Sequence, residues 1–272
     1  MVGKQPEGGG DKYDYFFRVL LFLAEHKIST AKLINSYCFS DACTSLIWRV
    51  LKELRNEKLI ETKNLKQKGK RSYFGFSLTK SGLQEVMEIG SVDCKDLQIK
   101  SNTPLHDITL SEIRQVFSKI SNCRLFITEN LIRIKTLERD YQDLATFRSL
   151  RSDAAALIQI SESQKWFAVE YERSQKSETR YAEKIKKWYQ SDDLFSVLLI
   201  GENDSLIRQL IKIDANTLPH KPRKILYLSL AKMRTAKTEV TFINSNNNAL
   251  NFKLDEKVRL QFPVLEQNFA NP

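Results

Sequence analysis

At 272 residues and 42% hydrophobic, the chain has length for one large unit or two modest ones and is too apolar for wholesale disorder. Its net charge of +10, from 43 basic and 33 acidic residues, suits a polyanionic partner, with nucleic acid the first candidate. Cys38, Cys43, Cys94 and Cys123 form no CxxC pair and have no nearby histidine, which argues against a zinc site or a disulfide framework.

The opening MVGKQPEGGGDK is polar and Gly-rich, without the apolar centre of a signal peptide. Residues 1–12 are expected to be a flexible N-terminus. No apolar run approaches the length that spans a bilayer, so the expectation is a soluble, cytoplasmic protein with no membrane insertion.

From residue 13, YDYFFRVLLFLAEHK places apolar residues on a broad helical face, and TAKLINSYC follows as a second short helix. SDACTSLIWRVLKELRNEKLI starts a third, with Ser40 or Asp41 as N-cap. Leu46, Ile47, Val50, Leu51 and Leu54 repeat at helical spacing, which leaves Thr44, Ser45, Trp48, Arg49 and Lys52 on the outer face. Two strands are then expected around the basic tip Lys66, Lys68, Lys70 and Arg71, and a helix after Leu78-Thr79-Lys80-Ser81-Gly82. Residues 44–71 hold nine Lys or Arg against three Glu, a balance that neutralises phosphates and releases counterions. This order of elements over residues 13–90 resembles a winged helix-turn-helix. The resemblance implies that the helix at 42–57 enters the major groove of DNA and that the basic tip touches the backbone.

Residues 91–104 lose helical periodicity and are expected to form a linker. LHDITLSEIRQVFSKI reads as a helix, CRLFITENLIR as a strand followed by a helix or loop, SETRYAEKIKKWYQ as a helix, SVLLIG as a buried strand and SLIRQLIKID as a helix. KILYLSLAK and EVTFINS read as strands, and residues 246–272 as an irregular tail. Strands mixed with helices over 105–245 predict an α/β sheet with helices packed on it.

Within this stretch RSDAAALIQISESQKWFAVEYERSQ alternates like a β-hairpin around the polar Ser-Glu-Ser-Gln. Pairing Ile160 with Lys165 sets Asp153 opposite Glu172 and Ala155 opposite Glu170, which crowds Asp153, Glu170 and Glu172 on one face of a sheet end. A one-residue slip would move Asp153 to the other face. Converging carboxylates suppress one another's ionisation unless a cation sits among them, and magnesium is held by one or two carboxylates plus water and phosphate. The alternative is a solvated strand face balanced by Arg173.

A helix with an acid, a strand bounded by Asp and a strand carrying E-x-K together resemble the PD-(D/E)XK nuclease fold. More closely, RSDAAA, FAVEYERS and RYAEKIKKWY, with PLHDITLSEIR upstream, resemble the replication-relaxation family, which includes the MOBC-type relaxases of mobile plasmids. The resemblance spans most of residues 13–232. It implies an α+β chain of two domains, a winged helix-turn-helix followed by a restriction-endonuclease-like α/β domain with a mixed central sheet. It implies Mg²⁺ or Mn²⁺ as cofactor, with Asp153 and Glu170 as metal ligands and Glu172, in the position where the general pattern has lysine, as a further metal residue that supports them or holds a second ion. Lys184 is the candidate replacement lysine, Glu112 matches an extra acid borne on a helix, and His106 and Asp107 match the family's HD. Tyr171, Tyr181 and Tyr189 are candidate nucleophiles for which aromatic packing is the preferred role, and Trp166 and Trp188 are assigned to packing.

The function so implied is a metal-dependent DNA endonuclease that nicks a specific double-stranded site on a mobile element for conjugative mobilisation or replication. The resemblance also allows a dimer or accessory mobilisation proteins as protein partners. The competing expectation is a non-catalytic DNA-binding regulator whose nuclease-like domain has become a scaffold.

Overall fold

The computed structural model describes residues 12–39, 44–66, 72–90, 96–134, 141 and 143–255. The chain divides into two compact units, with the division after Ile108.

In the first unit, α1 (Lys12–His26) is followed by β1 (Ser29–Thr30), α2 (Ala31–Cys38) and α3 (Thr44–Asn56). Residues 19–26 are all buried, so the second half of α1 is enclosed on every side, and Ile28 just past it is buried too. The left-handed Lys27, at φ 61, ends the first helix, and the Thr30 side chain caps the second by accepting from the Leu33 N–H. Ile47, Val50, Leu51 and Leu54 bury one face of α3. Strands β2 (Ile60–Leu65) and β3 (Tyr73–Leu78) pair antiparallel, and the described strands of this unit form a sheet in the order β1-β3-β2.

The last helix of this unit, α4 (Lys80–Gly90), begins earlier than expected: Lys80, Ser81 and Gly82 lie inside it. Thr79 Oγ1 accepts from the Gly82 N–H and donates to the Lys58 carbonyl, so the threonine acts as an N-cap tied to the turn between α3 and β2. A Cβ at Gly82 would stand 2.0 Å from the Leu59 carbonyl oxygen, which explains why glycine occupies a helical position there. The expected N-cap at Ser40 or Asp41, the strand tip at 67–71 and most of the first part of the expected linker (91–95) lie outside the described residues.

The second unit takes up α5 (Pro104–Phe117), within which the division falls. It continues through β4 (Cys123–Thr128), α6 (Glu129–Ile132), α7 (Leu144–Leu150), β5 (Ala154–Ile160) and β6 (Ser163–Glu172). Then come α8 (Glu178–Gln190), β7 (Ser196–Gly201), α9 (Asp204–Thr217), β8 (Ile225–Ser229), α10 (Leu230–Thr235), β9 (Glu239–Ile243) and β10 (Ala249–Lys253). The described strands form a mixed seven-stranded sheet in the order β10-β9-β8-β7-β6-β5-β4. The pairs from β4 to β6 and from β8 to β10 are antiparallel, while β6, β7 and β8 are parallel. Parallel neighbours need crossover connections, and α8 and α9 supply them. Burial on both faces suits SVLLIG, which is apolar except for Ser196, whose hydroxyl donates to the Lys224 carbonyl. The chain is therefore α+β, with a mixed sheet and packed helices.

Along β6, Phe167, Val169 and Tyr171 join the core that Ile113 and Phe117 of α5 complete. By strand alternation, Glu170 and Glu172 point to the opposite face.

Three details depart from expectation. Residues 246–272 are not all irregular, because Ala249–Lys253 pairs with β9 as an edge strand. KILYLSLAK is not one strand: it ends at Ser229, and Leu230 opens a helix that buries Leu230 and Met233. The helix Leu144–Leu150 was not anticipated; it buries Leu144 and Phe147. Cys38 and Cys123 are buried free thiols. No helix among the described residues is long and apolar enough to cross a membrane.

Candidate active site

The hairpin register decides where the acids go. Ile160 pairs with Ser163, Ile158 with Lys165, and Ala154 with Val169. The loop is thus the two residues Ser161 and Glu162, the first at φ 52, and not the four-residue Ser-Glu-Ser-Gln. The pairing is displaced by two residues from the expected one, so Asp153 faces Glu170 instead of Glu172. An even displacement preserves faces, and all three acids stay on the same side.

Asp153 stands just before β5. Its Oδ2 accepts from the Tyr171 N–H at 2.8 Å, and its carbonyl accepts from the Glu129 N–H at 2.8 Å. Glu170 is fully buried, at 0% exposure. Its Oε2 accepts from Lys184 Nζ at 2.7 Å, while its Oε1 is buried without a hydrogen-bond partner. Lys184 comes from the middle of α8, a helix capped by the Ser177 side chain. Its ammonium also lies 3.9 Å from Glu172 Oε1 and 5.0 Å from the centre of the Trp188 ring.

Glu172, 3% exposed, is engaged differently. Its Oε1 accepts from Lys176 Nζ at 2.7 Å. Lys176 lies in the β6–α8 connection, which Tyr181 clamps: its hydroxyl donates to the Ser174 carbonyl and accepts from the Lys176 N–H. Sequence reasoning missed Lys176; the four-residue spacing from Glu172 was visible, but it signals a pair only on a helix.

Burial pushes the Glu170 carboxyl up to about 7, with Asp153 and Glu172 adding to the rise and Lys184 opposing it. Burial works against the Lys184 ammonium, yet Glu170, Asp153 and Glu172 hold its pKa above the ordinary lysine value. The cluster is therefore two ammonium groups, Lys184 and Lys176, among three carboxylates, the most buried of which is reluctant to ionise.

The other expected residues lie as follows. Glu112 is on α5, against the opposite face of the sheet, and pairs with Arg234 of α10. His106 Nδ1 lies 3.5 Å from Asp107 Oδ1, and Asp107 is buried. Tyr171 hydrogen-bonds Glu202, and Tyr189 donates to Asp214, so both hydroxyls are engaged in the fold. On α3, Ser45, Arg49 and Lys52 are exposed and Trp48 is 55% exposed; Lys66, after β2, is exposed too. The Thr44 side chain, Lys68, Lys70 and Arg71 lie outside the described residues. Phe74 of β3, 60% exposed, went unnoticed because an aromatic in a strand ordinarily signals core.

Among the described residues, no group of three or more His, Cys, Asp or Glu is arranged to hold a metal ion. Glu172, turned to its lysines, leaves Asp153 and Glu170 as the candidate ligand pair. Two hard carboxylate oxygens suit Mg²⁺ or Mn²⁺, which complete their shells with water and phosphate oxygens. A buried carboxylate oxygen such as Glu170 Oε1, which accepts no hydrogen bond from the protein, needs either a proton or a cation. The residues present fit such an ion. The chain matches no protein-family model and no curated protein.

Proposed function

We propose that the chain is a metal-dependent DNA endonuclease of the relaxase type, nicking a specific site on double-stranded DNA of a mobile element. The observation that carries this reading is the convergence of Asp153, Glu170 and Lys184 at one sheet end, with a buried carboxylate oxygen left unpartnered. An acid before one strand, an acid on its hairpin partner and a lysine beside it are what the nuclease resemblance implies, with the lysine supplied by α8. A bound Mg²⁺ or Mn²⁺ would supply Lewis acidity at the scissile phosphate and a hydroxide from water at neutral pH. Asp153 and Glu170 would hold it, and the Tyr171 N–H orients the Asp153 carboxylate. Lys184 places a fixed positive charge where negative charge develops on phosphate oxygens.

In the same reading the first unit is a winged helix. Support comes from the order of α2, α3 and the β2–β3 hairpin, and from the exposed Ser45, Trp48, Arg49 and Lys52 on α3. These side chains suit a DNA groove.

Supercoiled plasmid incubated with the protein and Mn²⁺ tests this reading. Nicked circles are expected with the parent and not with D153N or E170Q, both of which should keep DNA binding. Nicking that persists in both variants overturns the site assignment. A second reading is a DNA-binding regulator with a non-catalytic scaffold, favoured by Glu172 standing where the nuclease pattern has lysine. Site-specific binding with neither nicking nor stabilisation by Mn²⁺ would establish it.

A further inference from the structure

The geometry points to Glu172 as a positioning residue: fixed by Lys176, it holds the Lys184 ammonium against Glu170 and leaves metal binding to Asp153 and Glu170. This inference rests on the endonuclease reading and assigns Glu172 a different task from the ligand role expected of it. Three observations carry it. Glu172 Oε1 is shared between two ammonium groups, at 2.7 Å from Lys176 and 3.9 Å from Lys184. Glu172 is 3% exposed, so its charge is little screened and acts strongly on those neighbours. Glu170, by contrast, spends only one oxygen on Lys184.

Lys184 is restrained by the Glu170 hydrogen bond, by the charges of Asp153 and Glu172, and by the Trp188 ring. A lysine on a flexible four-carbon stem needs such restraints to stay in one geometry. Glu172 stands two residues after Glu170 on the same face, where the general nuclease pattern has the lysine itself. With a glutamate there, the position can no longer supply the cation. It can anchor one that arrives from α8. Lys176 completes the arrangement: its connection is pinned by the Tyr181 hydroxyl, so Glu172 is held from the solvent side by a tethered cation.

The test uses E172Q and K176Q in the full chain, beside D153N. In metal-free crystals of E172Q, Lys184 Nζ should leave Glu170 Oε2; an ammonium still at hydrogen-bond distance overturns the inference whatever the nicking assay shows. Calorimetric titration should find Mn²⁺ bound by E172Q and not by D153N. Loss of Mn²⁺ in E172Q, as in D153N, makes Glu172 a ligand and overturns the positioning role. Nicking by E172Q should fall about 100-fold in kcat with KM nearly unchanged, the signature of a lost transition-state interaction. K176Q, altered at a partly exposed side chain, guards against misfolding of E172Q. It should show a smaller fall in kcat at unchanged Mn²⁺ affinity, and an unchanged kcat overturns the part given to Lys176. A parent that neither binds Mn²⁺ nor nicks overturns the endonuclease reading, and this role in the reaction with it. Failure of E172Q alone, in a parent that does both, overturns only the present inference.

Discussion

Glu170 is the residue on which the site's pH behaviour turns. Its carboxyl is raised from 4.5 to about 7, burial being the main cause. Between those values the folded protein keeps a proton that the unfolded chain has released. Stability contributed by this group therefore falls as pH rises from about 4.5 to about 7. E170Q removes the titration. In metal-free buffer, its loss of stability between pH 5 and pH 8 is expected to be roughly 2 kcal/mol smaller than the parent's, as urea unfolding at the two pH values would read. Equal slopes would show that Glu170 ionises freely in the fold. The proton and the ion compete for the same oxygens, so Mn²⁺ affinity of the parent should rise across the same window.

At the scale of elements, the hairpin and α8 together build the site. The two-residue loop puts Ser161 at φ 52, a conformation that costs a residue with a Cβ about 1 kcal/mol or more. S161G should therefore stabilise the protein by up to about 1 kcal/mol, offset in part by a freer unfolded chain. S161V should destabilise it by about 1 kcal/mol or more, because a β-branched residue tolerates that region least. Thermal unfolding of the pair checks the turn directly, and the turn sets the register that faces Asp153 toward Glu170.

The far end of α8 is held by Asp214 of α9, a fully buried carboxylate. It accepts from the Tyr189 hydroxyl at 3.0 Å and the Ser245 hydroxyl at 3.1 Å, with Arg223 Nη1 3.9 Å away. Burial raises the Asp214 carboxyl despite these partners. Y189F takes one donor from it and is expected to cost about 2 kcal/mol in urea unfolding. A negligible cost would mean that Asp214 does not anchor α8. Nothing in the sequence announced this network, since its members come from α8, α9, the entry to β8 and the β9–β10 turn.

For the whole molecule, the charge of +10 becomes meaningful through its placement. Arg49 and Lys52 are exposed on the face of α3 that carries Trp48. If both meet phosphates, the R49A/K52A double variant should lower the slope of log affinity against log salt by about 2. Fluorescence anisotropy over a salt series reads that slope. An unchanged slope would place the DNA contacts on other basic residues.

The alternating pattern of residues 151–175 was enough to place Asp153, Glu170 and Glu172 on one face, because strand alternation has period two and the faces survive any even slip of register. Amphipathic spacing likewise made α3, α8 and α9 legible, since long periodic stretches determine their own buried side. Short elements escaped for the opposite reason. Over five to seven residues, Ala249–Lys253, Leu230–Thr235 and Leu144–Leu150 hold too few apolar positions to define a period, and neighbours in space settle their form. The roles within the acid cluster also depended on three dimensions. Glu170 and Glu172 are the same side chain two residues apart in one strand. One keeps an oxygen free and the other is taken up by lysines, because the β6–α8 connection and α8 fold back over the strand end. Charges brought together by that return have no signature in chain order; distance and burial, not spacing, set how strongly they act on one another.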